Sequence, residues 1–220
     1  SLEYIRLYCD YIYLDTNERK FFAQNTHIYL IEQVQFSGNI GYQTSQESNK
    51  IPLEFNHPCK ELVWVTQMEL SRSFNEHLNF SSSVDITYGN NPIENTLLYI
   101  NGQERFSQRN ADHFRLEIPF KRHTRVPDNF IYVYSFSLNP QNSTPTGEKM
   151  KDFNYTSEDF NIIIDVSEKP NKENYDLGYD GGSAFSEKNL VDDYFHEINL
   201  YSVEYNILEI NNGEANLLFS

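Results

Sequence analysis

The chain has 220 residues and a formal net charge of −15, with 17 Lys and Arg against 32 Asp and Glu. A chain of this length forms one large domain or two small ones and can bury a core without disulfide or metal support. Hydrophobic residues make up 39% and aromatic residues 15% of the sequence, which excludes an intrinsically disordered chain. The cations are spread thinly without a basic stripe, which argues against direct nucleic-acid binding. No apolar run approaches the roughly 20 residues of a membrane-spanning helix.

The beginning of the chain predicts a strand followed by a helix. Alternating large side chains predict a strand from Leu2 to Leu14. Asp15 and Glu18 form a capping-box pattern, which predicts a helix from Thr16 to about Asn25. Because the sequence opens on Ser1 without a Met, we expect it to be a piece of a longer polypeptide.

Strand patterns continue to the end of the chain. The continuous apolar run 61–66 predicts a strand buried on both faces. Asn101-Gly102 predicts a tight hairpin turn, and Asn211-Asn212-Gly213 predicts a second turn. Segment 104–120 mixes the helical and strand periods, and we predict a short helix followed by an extended segment there. Further strands are predicted over 27–36, 51–55, 95–100, 130–138, 160–166, 194–210 and 215–219.

Residues 130–147 give the clearest strand-and-turn pattern. Tyr132, Tyr134 and Phe136 fall on one face, and such a wide aromatic face needs a second layer to cover it. This pattern predicts a central strand, which ends where Pro140 can donate no hydrogen bond. Altogether we predict an all-β fold: an eight-stranded antiparallel jelly-roll sandwich with long loops and one or two short helices, forming a single domain over 1–220.

Motifs for catalysis or cofactor binding are not recognisable in the sequence. The six His share no metal-ligand spacing, so we expect neither enzyme activity nor a cofactor. Asp176, Asp180 and Glu187 fit the first, fifth and twelfth positions of a calcium loop. Gly178 stands at the third position, where an oxygen ligand is needed, so a turn-rich surface loop is the favoured interpretation.

Five residues are candidates for covalent modification or cross-linking. Asn79, Asn142 and Asn154 each begin an N-glycosylation sequon. Asn, Ser and Thr are so common in this chain that chance alone accounts for about three such sequons. Cys9 and Cys59 are too few for a secreted disulfide framework, and we interpret both as reduced, buried thiols.

Several long blocks resemble the major capsid proteins of nucleocytoplasmic large DNA viruses, in particular their C-terminal jelly roll. The blocks occur in the family's order and cover most of the chain. Residues 148–154 depart from the run that the family usually has after this turn. The blocks are LYCDYIYLDTNERKFFAQNTHIYLIEQVQFSG (7–38), IPLEFNHPCKELVWVTQ (51–67), INGQERFSQRNADHFRLEIPFKRHTRVP (100–127), FIYVYSFSLNPQNSTPTG (130–147) and VEYNILEINNGEANLLFS (203–220).

The resemblance implies a structural function. Members of the family carry two tandem jelly rolls, and three copies form a pseudo-hexagonal capsomer that tiles an icosahedral shell. It implies partners of three kinds: further copies of the chain, minor capsid proteins and an underlying internal membrane. It also implies a location in the virion after assembly in the host cytoplasm. Two alternatives stay open: a carbohydrate-binding jelly roll, suggested by the Tyr-rich strands, and a minor capsid component with a single jelly roll.

Overall fold

A computed structural model describes residues 4–43, 48–73, 75–83, 89–141, 148–149, 161–166 and 195–218. The chain forms two compact units. One unit comprises Ser1–Ile31 with Asn206–Ser220, and the other comprises Glu32–Tyr205. Within the described part, no helix is long and apolar enough to cross a membrane.

Strands make up most of the described secondary structure, and eight of them have four or more residues. The helices are short: α1 (Thr16–Gln24), α2 (Glu69–Ser73) and α3 (Ile118–Arg122), with a π-helical turn at His113–Glu117 leading into α3. The strands are β1 (His27–Gln43), β2 (Ser48–Pro52), β3 (Pro58–Met68), β4 (Ile93–Ile100), β5 (Gln103–Glu104), β6 (Arg109–Asn110), β7 (Tyr132–Ser135), β8 (Glu148–Lys149), β9 (Asn161–Val166), β10 (Phe195–Asn211) and β11 (Glu214–Leu217).

The strands form two sheets. The first has the order β1-β10-β3-β7, with β11 on β10 and β8 on β3. The second has the order β2-β9-β4-β5, with β6 on β4. Apart from the hairpins β4–β5 and β10–β11, neighbours in the two strand orders are distant in sequence, and the β3–β10, β3–β7, β2–β9 and β4–β9 pairs are antiparallel. Two antiparallel sheets joined by long crossing connections confirm the predicted jelly-roll class.

The core of the larger unit lies where side chains of both sheets meet. Trp64 of β3 is fully buried and packs against Phe114 and Tyr132, with ring centroids 5.3 Å and 6.0 Å away. The remaining members of this cluster are mostly Leu and Ile from β2, β3, β4, β9 and β10, together with Leu53 and Phe55 of the segment between β2 and β3. At about 25 cal/mol per Å² of buried apolar surface, such side chains supply the main stabilisation of the sandwich.

Local sequence signals set several element boundaries. Asp15 caps α1 by accepting from the Glu18 amide at 2.8 Å, and the Glu18 carboxylate accepts in return from the Asp15 amide. The Asn101-Gly102 turn has φ of +54° and +69°, as a type I′ hairpin requires. Asn212-Gly213 repeats this geometry between β10 and β11, so both predicted turns are confirmed.

Three sequence predictions are wrong in the described structure. Residues 4–14 form no strand, and their large side chains are exposed, because no described strand pairs with them. In segment 104–120 the predicted order of helix and extended segment is reversed. The short strands β5 and β6 come first, and the π-helical turn and α3 follow. Strand β7 pairs with β3 alone among described residues, so it lies at the end of the sheet order and not at its centre.

Two phenylalanines six residues apart provide a stability test of this core. Phe114 is 0% exposed and Phe120 is 78% exposed. We expect Phe114→Ala to lower the free energy of unfolding by about 3–5 kcal/mol, because it leaves a cavity beside Trp64. The matched control Phe120→Ala should change the free energy of unfolding by less than about 0.5 kcal/mol. Urea unfolding curves measure both, and equal effects of the two substitutions would contradict the placement of the core.

Candidate functional site

Most of the site residues predicted from sequence lie outside the described residues. This holds for the calcium-loop candidates Asp176, Asp180 and Glu187 and for the sequon residues Asn142 and Asn154. Their roles stay predictions. Among the residues that are described, no group of three or more His, Cys, Asp or Glu is placed to hold a metal ion.

The third sequon residue, Asn79, is described and buried, with 1% of its surface exposed. Its Nδ2 donates to the Ser83 carbonyl at 2.8 Å, and its Oδ1 accepts from the Ser81 amide and hydroxyl. A glycan on Nδ2 would require this side chain to leave its hydrogen bonds. Glycosylation at Asn79 stays a prediction, and in the folded chain the residue organises the loop after α2.

The two thiols have different environments, which corrects the expectation that both are buried. Cys9 is exposed, whereas Cys59 is buried in the core, and both are free. The Ser202 hydroxyl donates to the Cys59 sulfur at 3.0 Å. Burial raises the pKa of the Cys59 thiol far above its ordinary value, with the Glu204 and Glu61 carboxylates adding to the effect. Cys59 therefore stays protonated and unreactive at neutral pH.

A buried polar cluster joins three adjacent strands in the larger unit. Its central carboxylate, Glu204 of β10, is 0% exposed. The Nδ1 atom of His57 lies 3.0 Å from Glu204 Oε2 and 2.8 Å from Nε2 of Gln35 on β1. Burial raises the pKa of the Glu204 carboxyl, against the opposing effects of the Ser202 hydroxyl and the His57 ring. We name these residues with Cys59 the Glu204 cluster.

A second buried charge lies next to this cluster. Lys60 is the extra residue of a β-bulge, since Val203 pairs with Glu61 and Glu204 pairs with Cys59. Only 1% of Lys60 is exposed. Its ammonium group donates to the Glu32 carboxylate of β1 and lies 5.5 Å from the centre of the Tyr205 ring. The ion pair and the ring offset the cost of burying the charge and link β1, β3 and β10.

An open groove of about 790 Å³ lies beside the π-helical turn and α3. Exposed apolar side chains, Leu116 and Phe120, lie within it. We name this groove, together with the cations Arg115 and Lys121 of the same helical segment, the helical patch. Its lining residues are Gln108, Arg109, Asn110, Asp112, His113, Leu116, Glu117, Phe120 and Val126.

Ion pairs organise the helical part of this patch. The Glu117 carboxylate accepts from Lys121 and from the His113 ring, and these two hydrogen bonds lower its pKa to about 2. Arg115 donates to Asp112 at 3.2 Å and lies 5.1 Å from the centre of the Phe130 ring. Such contacts fix the orientation of side chains on a helical surface but do not form a nucleophile–base pair.

Sequence reasoning missed the helical patch because it judged the cations to be spread thinly. Residues 104–125 contain six of the chain's 17 Lys and Arg, with only three acidic residues. A count of charge in a sliding window would have found this segment. Its apolar partners, by contrast, become visible only when the fold shows that Phe120 faces outward while Phe114 is buried.

Comparison with known proteins identifies the family. The family model described as large eukaryotic DNA virus major capsid protein matches residues 18–216. This chain belongs to that capsid protein family. The match includes both sheets, the Glu204 cluster and the helical patch.

Individual capsid proteins show the same similarity. The major capsid protein of Phaeocystis pouchetii virus is 28% identical over all of this chain and 54% of its own length. That of Pyramimonas orientalis virus is 38% identical over 67% of this chain and 38% of its own length. The chain thus spans about half or less of these relatives. The crystal structure of PBCV-1 VP54, fitted into a reconstruction of the virophage Sputnik, superposes with a TM-score of 0.65 and 25% identity, over 96% of this chain and 55% of that one.

We expect the Glu204 cluster to make the stability of this chain depend on pH. Burial raises the pKa of Glu204 in the folded state. The contribution of Glu204 to the free energy of unfolding is therefore most favourable below the ordinary pKa of 4.5, and it is lost as pH rises through the folded-state pKa. The isosteric Glu204→Gln carries no ionisable group. We therefore expect the wild type to lose stability relative to Glu204→Gln as pH rises from about 4 to about 8.

Urea unfolding at several pH values measures this difference. Glu94→Gln, an exposed glutamate on β4, is the matched control for the loss of one carboxylate. A wild type that gains stability relative to Glu204→Gln as pH rises would contradict the raised pKa of Glu204.

Proposed function

We propose that this chain is the C-terminal jelly roll of a major capsid protein whose homotrimers form pseudo-hexagonal capsomers in an icosahedral shell. The observation that carries the proposal is the family match over 18–216, which spans a two-sheet fold of the expected class. The relatives that it resembles are named major capsid proteins. The function is mechanical: the sandwich acts as a rigid body whose surfaces meet neighbouring subunits.

The structure supports a rigid body in two ways. Strand β3 pairs with β10 from Met68–His196 to Cys59–Glu204, and the side chains of Trp64, Leu62 and Leu200 are fully buried between the layers. The buried Lys60 with its partner Glu32, and the Glu204 cluster, impose polar contacts that a shifted register would break. A subunit that must transmit force through a shell needs such a uniquely specified interior.

The proposed partners follow from this function. They are further copies of the same protein within and between capsomers, minor capsid proteins and an underlying internal membrane. The proposed location is the virion shell, with assembly in the host cytoplasm. The net charge of −15 disfavours direct contact with the genome, because nucleic-acid phosphates repel an acidic surface.

The carbohydrate-binding alternative receives less support. It rests on the Tyr-rich strands, of which β7 is one. Tyr132 is 0% exposed and packs on Trp64, and Tyr134 packs on Phe106 and Phe136. Tyr132 is therefore closed to a ligand, and the half-buried Tyr134 packs against the core cluster.

Oligomeric state tests the proposed function. We expect the intact polypeptide that contains this chain to have three times its monomer mass by multi-angle light scattering after size-exclusion chromatography. The measurement covers a wide concentration range, and mass under denaturing conditions supplies the monomer value. A folded protein that stays monomeric at every concentration would contradict the trimer.

A further inference from the structure

We propose that the Glu204 cluster is a proton-dependent latch, in which Glu204 carries a proton in the folded chain and loss of that proton releases β1 from β10. The inference does not rest on the proposed function, because it concerns a joint within one chain. It also goes beyond the pH dependence of overall stability, because it places the proton on one carboxyl group and names the strand that the loss of the proton sets free.

The hydrogen-bond geometry places the proton on Glu204. Nε2 of Gln35 lies 2.8 Å from Nδ1 of His57, and an amide nitrogen can only donate. Nδ1 of His57 therefore accepts this hydrogen bond and carries no hydrogen of its own. Oε2 of Glu204 lies 3.0 Å from the same Nδ1 atom, and this contact is favourable only when Oε2 supplies the hydrogen. A carboxyl group supplies a hydrogen in its protonated form.

The surroundings of Glu204 favour this neutral form. The residue is 0% exposed, and burial raises the pKa of its carboxyl, while the Ser202 hydroxyl and the His57 ring oppose this effect without reversing it. Its titratable neighbours are His57, from the segment before β3, and Cys59 of β3. The Glu61 carboxylate adds a negative charge on the same strand as Cys59. Negative charge in the vicinity disfavours the ionised form of a buried carboxyl.

The buried cation Lys60 serves a different carboxylate. Its ammonium group pairs with Glu32 of β1 and lies 5.5 Å from the centre of the Tyr205 ring. Tyr205 directly follows Glu204 in β10, and successive side chains of a strand point to opposite faces of the sheet. Lys60 and Glu32 therefore lie on the face opposite to Glu204. Lys60 thus does not supply the positive charge that an ionised, buried Glu204 would need.

Gln35 couples the proton to the position of β1. In the described strand order β1-β10-β3-β7, β1 is the end strand and β10 is its neighbour. Loss of the proton leaves two acceptors facing each other, Glu204 and Nδ1 of His57, and a carboxylate shielded from water is strongly unfavourable. Separation of β1 from β10 admits water, which takes up the proton and solvates the carboxylate. The latch is therefore closed at acidic pH and opens as pH rises.

Infrared spectroscopy of the intact polypeptide that contains this chain tests the position of the proton. A protonated carboxyl has a C=O stretch apart from that of a carboxylate, and ordinary glutamates are ionised at about pH 6. We expect the wild type to show this band at about pH 6 and Glu204→Gln to lack its contribution. The control Glu94→Gln, at an exposed site on β4, should keep the wild-type band.

Equal band intensities for wild type and Glu204→Gln would overturn the proposal. Glu204 would then be ionised, with Nδ1 of His57 as the donor and the Gln35 amide turned over so that its oxygen faces the ring.

Hydrogen exchange followed by mass spectrometry tests the release of β1. The exchange rates are corrected for the intrinsic pH dependence of amide exchange and compared with those of β7, which contributes no residue to the cluster. We expect the opening equilibrium of β1 to rise by about tenfold for each pH unit between the ordinary pKa of 4.5 and the raised pKa of Glu204, and to level off above it. Strand β7 should show no such rise.

Two variants separate the latch from a general weakening of the fold. Glu204→Gln has no proton to lose and its amide can donate to His57, so β1 should stay protected from about pH 5 to about pH 8. Gln35→Met removes the link to β1, so β1 should exchange faster than in the wild type at about pH 5 and lose its pH dependence. Gln35→Met decides the question if Glu204→Gln does not fold.

Three results of the exchange experiment would overturn the proposal. The first is a wild-type β1 whose corrected exchange does not change with pH, and the second is a Gln35→Met protein in which β1 behaves as in the wild type. The third is a Glu204→Gln protein that keeps the wild-type pH dependence of β1, because the titrating group would then be another residue.

Discussion

The pairing of β3 with β10 is the constraint on which the larger unit depends. It places Trp64 opposite Leu200 and directs both side chains into the space between the sheets. Phe114 and Tyr132 then pack on the indole ring, which connects the helical segment and β7 to the same core. A slip of one residue would turn Trp64 outward and leave this core without its largest side chain.

Polar groups in the interior make that pairing specific. The bulge at Lys60 interrupts the ladder where Glu204, His57 and Gln35 meet, and the buried Glu204 and His57 need their polar partners because little or no water reaches them. Buried charges contribute less to stability than apolar side chains of the same volume. These groups contribute specificity, because only one register of β3 and β10 gives each of them its polar partner. Such specificity suits a subunit that must present the same surfaces in every copy of an assembly.

Sequence reasoning succeeded where structure follows from local chemistry. The capping box of Asp15 and Glu18, the Asn-Gly turns and the apolar run 61–66 each have a short-range physical cause, and each is confirmed. It failed where the outcome depends on partners. Segment 4–14 has the alternation of a strand but no described neighbour, and segment 104–120 turns helical at the point where Phe114 can reach Trp64. The Glu204 cluster joins residues up to 169 positions apart in sequence, namely Gln35 and Glu204, so no local pattern could reveal it.

The central proposal is that this sandwich is a subunit of a capsid shell built from copies of the same protein. A cryo-electron microscopy reconstruction of the assembled particle, at a resolution that shows side chains, tests it most directly. The account predicts a shell built from contacting copies of the protein, with β3 and β10 paired and Trp64 opposite Leu200 in every subunit. A shell from which this chain is absent, or in which β3 and β10 have another register, would contradict it.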